Sequence, residues 1–295
     1  MPEIPDLVVY LERLRALVEG RALLHVRILN PFVLRSVTPS IADVEGVRVL
    51  GVRRIGKRIV LALDHDRFIV IHLMIAGRLR WRAPGRAVRG GLALAAFEFA
   101  NGTLFLTEAG KKRRASLHLV EGETALAAFD RGGIEPLEAS QTSFAERLRS
   151  ENHTIKRALT DPRLFSGIGN AYSDEILHHA RLSPLVLTSR LTDQQVEQLY
   201  HAVRETLTGW IDRTRSEVGG GFPDTVTAFR EEMAVHGKFG KPCPVCGAPV
   251  QRIRYADNET NYCARCQSGG RLLADRAMSR LLKSDWPRSL DELDP

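Results

Sequence analysis

The stretch "CPVCGAPVQRIRYADNETNYCARC", residues 243–266, contains all four cysteines of the chain. Two Cys-x2-Cys pairs, Cys243/Cys246 and Cys263/Cys266, each present two thiolates from a tight turn, the arrangement of a closed tetrahedral zinc site. Two disulfides are the alternative, and the lack of any export signal favours the metal. We therefore predict one structural zinc ion.

The residues between the two cysteine pairs alternate in polarity and predict two strands joined by a turn near Asp257–Glu259. A ribbon of this kind can insert its tip into a nucleic-acid groove, and zinc ribbons also serve as protein-docking modules. The ribbon alone does not decide between nucleic acid and protein as its partner.

The 295 residues are enough for two domains, and a hydrophobic content of 44% provides each with a core. No run of eighteen apolar residues is present, and the N-terminus lacks the basic-then-apolar order of a signal peptide. We expect a folded cytoplasmic protein without a membrane association.

Positive charge is concentrated in particular segments. The 42 Lys and Arg residues exceed the 35 Asp and Glu residues, giving a formal net charge of +7, and "KKRR" stands at residues 111–114. A further excess of cations lies between Arg48 and Arg89. This distribution suits a polyanion such as nucleic acid, and a solvated surface is the equal alternative.

The pattern of apolar and polar residues changes twice along the chain. An amphipathic helix with Leu7, Leu11, Leu14 and Val18 on one face is followed from Arg21 to Leu119 by at least six short β-rich runs. Gly132, Gly133 and Pro136 mark a boundary near residues 130–140. Beyond it the periodicity predicts helices at Ser143–Arg149, Thr154–Leu159, Asn170–His179 and Thr192–Thr214, and a short amphipathic helix at Leu272–Leu282.

Two glycines, Gly167 and Gly169, immediately precede the predicted helix that begins at Asn170. Exposed backbone N–H groups and the dipole at such a helix start favour an anion, and the Asn170 amide could add a donor. An ordinary turn is at least as good an explanation of two glycines taken alone.

The chain begins "MPEIPD", residues 1–6. Pro2 is small enough for removal of Met1 to be expected, which would leave a free secondary amine. A free α-amine titrates at roughly 7.7–8.0, so part of it is neutral and nucleophilic near physiological pH. Many chains start Met-Pro without any chemical reason, so the terminus alone does not establish a role.

A series of motifs occurs along the chain. In order, they are "MPEIPD", "GKR" (56–58), "IHLMIAG" (71–77), "GIEPL" (133–137), "SGIGNAYSDEIL" (166–177) and the four-cysteine ribbon. In these motifs and in their order, the chain resembles the formamidopyrimidine-DNA glycosylase/endonuclease VIII family. The formamidopyrimidine-DNA glycosylase branch is the closer one. The resemblance implies an α+β multidomain fold, in which an N-terminal β-sandwich with flanking helices precedes a helix–two-turn–helix domain and a C-terminal zinc finger. The expected limits are 1–130, 131–236 and 237–268, with an extension of unknown role at 269–295.

The resemblance also assigns chemistry to residues of the terminus. It implies that the Pro2 amine attacks the sugar C1′ of a damaged nucleotide and displaces the base, and that the resulting iminium eliminates to cut the strand. Glu3 matches the acid/base carboxylate, and Lys57 matches a catalytic lysine that holds the phosphate beside the lesion and assists the reaction. Asp6 stands where the family usually has glutamate.

DNA contacts are implied at further positions. Lys156 and Asn170, with Gly167 and Gly169, match the phosphate-contacting part of the helical domain. Met74 or Ile75 would fill the gap left by a flipped nucleotide, with ordinary strand core as the alternative for both. Lys111 and Arg113 lie in "EAGKKRRASLH" (108–118), which replaces the family's second wedge loop.

Several departures bear on substrate preference. Asn258 stands at the ribbon position where the family has an arginine that binds phosphate. Either the cations at 111–114 or Arg252 and Arg254 on the ribbon could compensate for it. The segment 219–237 is shorter than the loop that caps 8-oxoguanine in the closer branch, so the lesion preference could be altered.

These residues together predict a bifunctional DNA glycosylase/AP lyase that acts as a monomer on double-stranded DNA and removes oxidised bases of the 8-oxoguanine or formamidopyrimidine type. Its location would be cytoplasmic, at the nucleoid. The alternatives are a glycosylase of the same fold with an oxidised-pyrimidine or other preference, and a non-catalytic binder of damaged DNA. A protein that only binds DNA has no use for an N-terminal amine, so the presence of Pro2, Glu3 and Lys57 argues against the non-catalytic binder. A protein adaptor built on the zinc ribbon leaves the basic β domain unexplained.

Overall fold

The computed structural model describes residues 1–86, 88, 91–110, 112–224, 226, 229–255, 258–283 and 287–293, without the side chains of residues 276–278. The chain forms two compact units: one consists of Met1–Arg131 with Trp210–Thr227, the other of Gly132–Gly209 with Ala228–Pro295. The predicted domain limits stay predictions. Within the described parts of the chain, no helix combines the length and hydropathy needed to cross a membrane.

Eight helices and eleven strands are described. The helices are α1 (Ile4–Val18), α2 (Glu123–Ala127), α3 (Gln141–Arg149), α4 (Ile155–Thr160), α5 (Asn170–His179), α6 (Asp193–Val218), α7 (Ala264–Ser268) and α8 (Arg276–Leu282). The strands are β1 (Ala22–Leu23), β2 (His25–Ile28), β3 (Val47–Ile55), β4 (Arg58–Leu63), β5 (Arg67–His72), β6 (Gly77–Arg82), β7 (Ala93–Phe99), β8 (Gly102–Glu108), β9 (Ser116–Glu121), β10 (Val250–Tyr255) and β11 (Asn258–Cys263).

The N-terminal unit is a β-sandwich, as predicted. One antiparallel sheet has the strand order β1-β3-β4-β5-β9 and the other β2-β7-β8-β6. Side chains of β4 alternate between two cores: Ile59 and Leu61 belong to the main core, whereas Val60 packs with Leu126 of α2 on the outer face. Both faces of this sheet are therefore covered.

Helix α1 carries the predicted apolar face into the main core. Leu7, Leu11, Leu14 and Val18 are all buried there, together with Tyr10. Fully burying such side chains contributes roughly 1.5–3 kcal/mol each. The start of α1, and with it the N-terminus, is thereby fixed against the sandwich.

The helical domain contains α3, α4, α5 and the first part of α6. Phe144 of α3 packs against Phe165, with ring centroids 4.8 Å apart. Glycine is required at two positions around these helices: a Cβ at Gly133, ahead of α3, would overlap the carbonyl of Pro162, and Gly167, in the turn before α5, has a φ of +80°. Residues 167–169, which lead into α5, are buried, and Asn170 is half-buried.

The C-terminal ribbon pairs β10 with β11, from Val250↔Cys263 to Tyr255↔Asn258. The predicted turn was too long at its far end, since Glu259 already pairs with Arg254; Asp257 lies outside the described residues. The predicted helix Leu272–Leu282 begins only at Arg276, because Leu272 and Leu273 are buried against the ribbon in a non-helical segment.

Candidate functional site

The N-terminus is held by a reciprocal capping box at the start of α1. The Asp6 carboxylate accepts a hydrogen bond from the Glu3 N–H, 3.1 Å away, and the Glu3 carboxylate accepts one from the Asp6 N–H. Glu3 and Asp6 are 3% and 2% exposed, and Pro2 is buried beside them. The capping box satisfies N–H groups that the first helical turn leaves unpaired, and it fixes residue 2 in one position.

Charged side chains converge on the terminal amine. Burial lowers the pKa of the Met1 amine, Arg78 and Lys57 lower it further, and Glu3 and Asp6 oppose the shift. Burial also lowers the pKa of Lys57, against the opposing charge of Glu3. Glu3 and Lys57 therefore both lie near the amine of Met1, next to Pro2, and burial there favours the neutral form of that amine.

His72 belongs to the same neighbourhood and was missed by the sequence analysis, although it stands in the quoted "IHLMIAG". It pairs with Arg58 across β4 and β5. Burial, followed by the charges of Arg58, Lys57 and His118, lowers the pKa of His72 to about 4. A neutral imidazole among several cations indicates a surface suited to an anion.

Replacing His72 is expected to change the pH dependence of stability. Between pH 6.5 and about 4 the unfolded chain binds a proton at His72 that the folded chain does not, so the free energy of unfolding falls as pH falls. The His72→Asn variant should show a shallower dependence of the free energy of unfolding on pH, by at most about 1.4 kcal/mol per pH unit. Urea denaturation across this window checks it; equal slopes in both proteins would contradict the assignment.

The predicted wedge residues lie in the turn between β5 and β6. Ile75 is 62% exposed at the tip, so it is not strand core, whereas Met74 is partly buried with a φ of +52°. The turn is tight, since a Cβ at Gly77 would overlap the carbonyl of Leu73. Insertion of either side chain into DNA stays a prediction, with Ile75 the better presented of the two.

The loop after β8 is closed by a buried carboxylate. Glu108 accepts hydrogen bonds from the N–H groups of Arg114 and Ala115, at 2.8 and 2.9 Å. Arg113 is exposed, and its guanidinium donates to the carbonyl of Gly91. Lys111, predicted to contact DNA, lies outside the described residues.

In the second unit, the residues of the predicted anion site lie at the start of α5, and anion binding there stays a prediction. Gly169 is the N-cap residue and Asn170 the first helical residue. The Asn170 side-chain amide donates to the main-chain oxygen of Glu259 in β11, 2.8 Å away. The helix start and the ribbon are therefore joined directly at this point.

Lys156 lies beside Asn170 but is already engaged. Its ammonium donates to the Asn170 carbonyl, to the Ser173 hydroxyl and to the Asp174 carboxylate. The side chains of Lys156 and Asp174 are 12% and 0% exposed. A direct phosphate contact by Lys156 stays a prediction and requires its ammonium to leave a buried partner.

Two acidic residues of α5 attach the chain that leads into the ribbon. Asp174 contacts Nδ1 of His236 at 2.8 Å, and Glu175 accepts from the N–H groups of Ala234, Val235 and His236 at 2.8–2.9 Å. Burial raises the pKa of Glu175 in spite of these bonds. The sequence analysis missed both residues because these partners, at residues 234–236, lie some sixty residues further along the chain.

Lys156→Met is expected to destabilise the protein by about 3–5 kcal/mol, since it leaves the Asp174 carboxylate buried without its cation. Adding Asp174→Asn should recover part of this loss. Lys241→Met, which removes an exposed lysine, is the control. The measurement is the free energy of unfolding in urea, and a loss for Lys156→Met no larger than that of the control would contradict the assigned ion pair.

The four cysteines form one zinc site. The Sγ atoms of Cys243, Cys246, Cys263 and Cys266 all lie within 4.8 Å of one another, and all four thiols are free of disulfide bonds. His178 of α5 places Nε2 3.3 Å from the Cys243 Sγ. Four thiolates leave no open position, so a zinc ion here stabilises the ribbon and does not activate water.

Glu151, His153 and Asp161 also come within 4.8 Å of one another. The Arg163 guanidinium already forms ion pairs with both carboxylates, at 3.3 Å and 2.7 Å. A cation in that position makes this cluster an ion-pair network of the helical domain, not a metal site.

Comparison with known proteins matches three family profiles to the chain. Residues 1–121 match the formamidopyrimidine-DNA glycosylase N-terminal domain, residues 133–219 the formamidopyrimidine-DNA glycosylase H2TH domain, and residues 240–269 a zinc finger found in FPG and IleRS.

One similar protein covers nearly the whole chain, and another covers about half of it. A formamidopyrimidine-DNA glycosylase of Thermus thermophilus is 34% identical over 282 residues, covering 92% of this chain and all of its own length. An uncharacterised formamidopyrimidine-DNA glycosylase-like protein of Mycobacterium tuberculosis is 42% identical over 151 residues, 51% of this chain and 94% of its own.

Solved structures of Lactococcus lactis Fpg have a similar fold. A complex with DNA containing an abasic site has a TM-score of 0.80 at 24% identity, over 90% of this chain and 99% of that one. A complex with Fapy-dG-containing DNA has a TM-score of 0.79 at 25% identity, over 90% of this chain and all of that one.

Proposed function

Because the chain belongs to the formamidopyrimidine-DNA glycosylase family, we propose that it is a bifunctional DNA glycosylase/AP lyase that removes oxidised purines from double-stranded DNA. The observation that carries this proposal is that Glu3, Asp6, Lys57 and Arg78 all act on the amine of Met1, one residue ahead of the Pro2 nitrogen. A protein that only binds DNA has no need for such a set of charged groups around its N-terminus.

In the proposed reaction, removal of Met1 exposes the secondary amine of Pro2. Its nitrogen forms a bond to the sugar C1′ as the bond from C1′ to the base breaks, and the base leaves with a proton. Opening of the sugar ring breaks the C1′–O4′ bond, with the ring oxygen taking a proton from Glu3, and leaves an iminium between Pro2 and C1′. Loss of a C2′ proton then expels the 3′ phosphate and cuts the strand.

Cationic side chains would hold the DNA during these steps. Lys57, with neutral His72 and Arg58 beside it, is proposed to bind the phosphate next to the lesion. Asn170 and the N–H groups after Gly167 and Gly169 are proposed to bind a second part of the backbone. Zinc, bound by the four cysteines, would serve only to keep the ribbon folded.

An incision assay tests the proposal. Duplexes carrying 8-oxoguanine, a formamidopyrimidine, an oxidised pyrimidine or an abasic site are incubated with the protein, and nicking is measured without alkali. Nicking of the oxidised-purine and abasic duplexes is the expected result. Nicking of the pyrimidine duplex alone would move the preference to oxidised pyrimidines, and binding without base release or nicking would indicate a non-catalytic DNA binder.

A further inference from the structure

The C-terminal segment 270–293 follows the residues matched by the zinc-finger profile, which ends at 269. The segment packs on the ribbon: Leu272 and Leu273 form a small core with Ile253 and Tyr262. The Leu273 N–H donates to the Tyr262 hydroxyl at 2.8 Å. Backbone bonds from Leu272 to Arg288 and from Leu290 to Gly270 join the beginning of the segment to its described end.

This packing determines which way the side chains of β10 point. Successive strand residues face opposite sides, so burial of Ile253 beneath the segment places Arg252 and Arg254 together on the other face. At the outer edge of β10, the Asp275 carboxylate accepts a hydrogen bond from the Arg254 N–H, 2.7 Å away. The segment therefore fixes the face on which both arginine side chains lie and the backbone position of Arg254.

Among the described residues, the two arginines are only weakly neutralised. Glu259 lies 3.5 Å from the Arg252 Nη1 and 3.8 Å from the Arg254 Nε, whereas Arg53 forms an ion pair with Glu123 at 2.6 Å. One carboxylate opposite two guanidinium groups leaves a net positive charge. The Arg254 side chain is 65% exposed and able to reach a ligand.

Arg252 is additionally oriented by an aromatic ring. Its guanidinium carbon lies 4.0 Å from the centroid of Phe239. Stacking of this kind limits the rotamers of a long side chain, which lowers the entropy lost when it binds an anion.

The arginine face continues into the start of α5. Glu259, which faces both arginines, accepts the side-chain hydrogen bond of Asn170 through its main-chain oxygen, at 2.8 Å. Guanidinium groups bind phosphate with two parallel hydrogen bonds, which makes a nucleic-acid backbone the partner that fits this surface.

We propose that Arg252 and Arg254 form a phosphate-binding pair on the ribbon, held in position by the C-terminal segment through Asp275. This inference rests on the proposed function, because its ligand is the backbone of duplex DNA. The pair would supply the cationic contact of a ribbon that has Asn258, not a cation, at its described tip.

The salt dependence of binding to a duplex with a tetrahydrofuran abasic-site analogue tests the pair. The logarithm of the binding constant falls linearly with the logarithm of salt concentration, and each lost phosphate contact reduces the steepness of this fall by about 0.9. Arg254→Ala should show this decrease, Arg252→Ala/Arg254→Ala about twice as much, and Arg254→Lys should keep the slope. Arg280→Ala, which removes an exposed cation from the segment itself, is the control and should leave the slope unchanged.

Asp275→Ala tests the role of the segment through the sign of the effect. Loss of a negative charge near DNA would by itself raise the affinity, whereas loss of the Arg254 attachment should lower it. Zinc content of one per chain verifies that the ribbon is intact, and Arg254→Ala, at an exposed side chain, tests the pair without depending on the segment. A higher affinity for Asp275→Ala, or an unchanged slope for Arg254→Ala, would overturn the inference.

The result for the unmodified protein separates this inference from the proposed function. If that protein does not bind the duplex, the proposed function fails. If it binds and Arg254→Ala has the same slope, only the phosphate-binding pair is wrong.

Discussion

Blocking the nitrogen of Pro2 is expected to abolish base excision and strand cleavage, with a loss on the order of 10³-fold or more. A tag retained in front of Pro2 converts its nitrogen into an amide, which has no nucleophilic lone pair. The surrounding groups would remain, since the capping box between Glu3 and Asp6 and the burial of Leu7 do not involve the amine.

The matched control for this experiment is a cleavable tag whose removal leaves Pro2 as the first residue. Nicking of an abasic duplex should be absent before the tag is cleaved and present afterwards, in the same preparation. Equal nicking rates before and after cleavage would show that another residue carries the reaction.

Loss of one zinc ligand should weaken DNA binding much more than it changes the chemistry at Pro2. Cys243→Ser leaves three thiolates, and structural zinc in small domains contributes on the order of 10 kcal/mol to folding. The core around Cys243 also contains Val235, Ala248 and Val250, which should loosen with the metal. The expected result is a zinc content below one per chain and a fall in duplex affinity of at least about tenfold, a loss of 1.4 kcal/mol or more.

Chelation followed by readdition of zinc is the control for Cys243→Ser, since affinity should fall and then return in a chain of unchanged sequence. Nicking of an abasic duplex at high protein concentration should persist in the variant. Normal zinc content, binding and cutting by Cys243→Ser would contradict the assignment of a structural metal.

The features that the sequence predicted best are those set by local spacing. The face of α1 through Leu7, Leu11, Leu14 and Val18 is buried, and the two Cys-x2-Cys pairs form one cluster. The helix predicted at Asn170–His179 is observed with the same bounds. In each case residues close in the chain determine the structure, so periodicity and spacing are sufficient.

Features set by distant partners were not predictable in the same way. The order of strands in the two sheets depends on pairings such as β5 with β9, which lie far apart in the chain. Leu272 and Leu273 match a helical pattern but are held outside a helix by contacts with Ile253 and Tyr262. The roles of Asp174 and Glu175 likewise depend on groups some sixty residues away.

Resemblance to a family located the candidate site, and the structure adds what surrounds it. Pro2, Glu3 and Lys57 were predicted from motifs, whereas the lowered pKa of the terminal amine and of His72 arises from burial and neighbouring charges. Such shifts depend on three-dimensional packing and cannot be read from the order of residues.

Borohydride trapping tests the central claim most directly. The protein, with loss of Met1 verified by mass spectrometry, is incubated with an abasic-site duplex and with an 8-oxoguanine duplex while borohydride reduces any iminium to a stable bond. The account predicts a covalent complex on both duplexes, with the DNA attached to Pro2. Attachment at another residue, or no complex on either duplex while binding is intact, would contradict it.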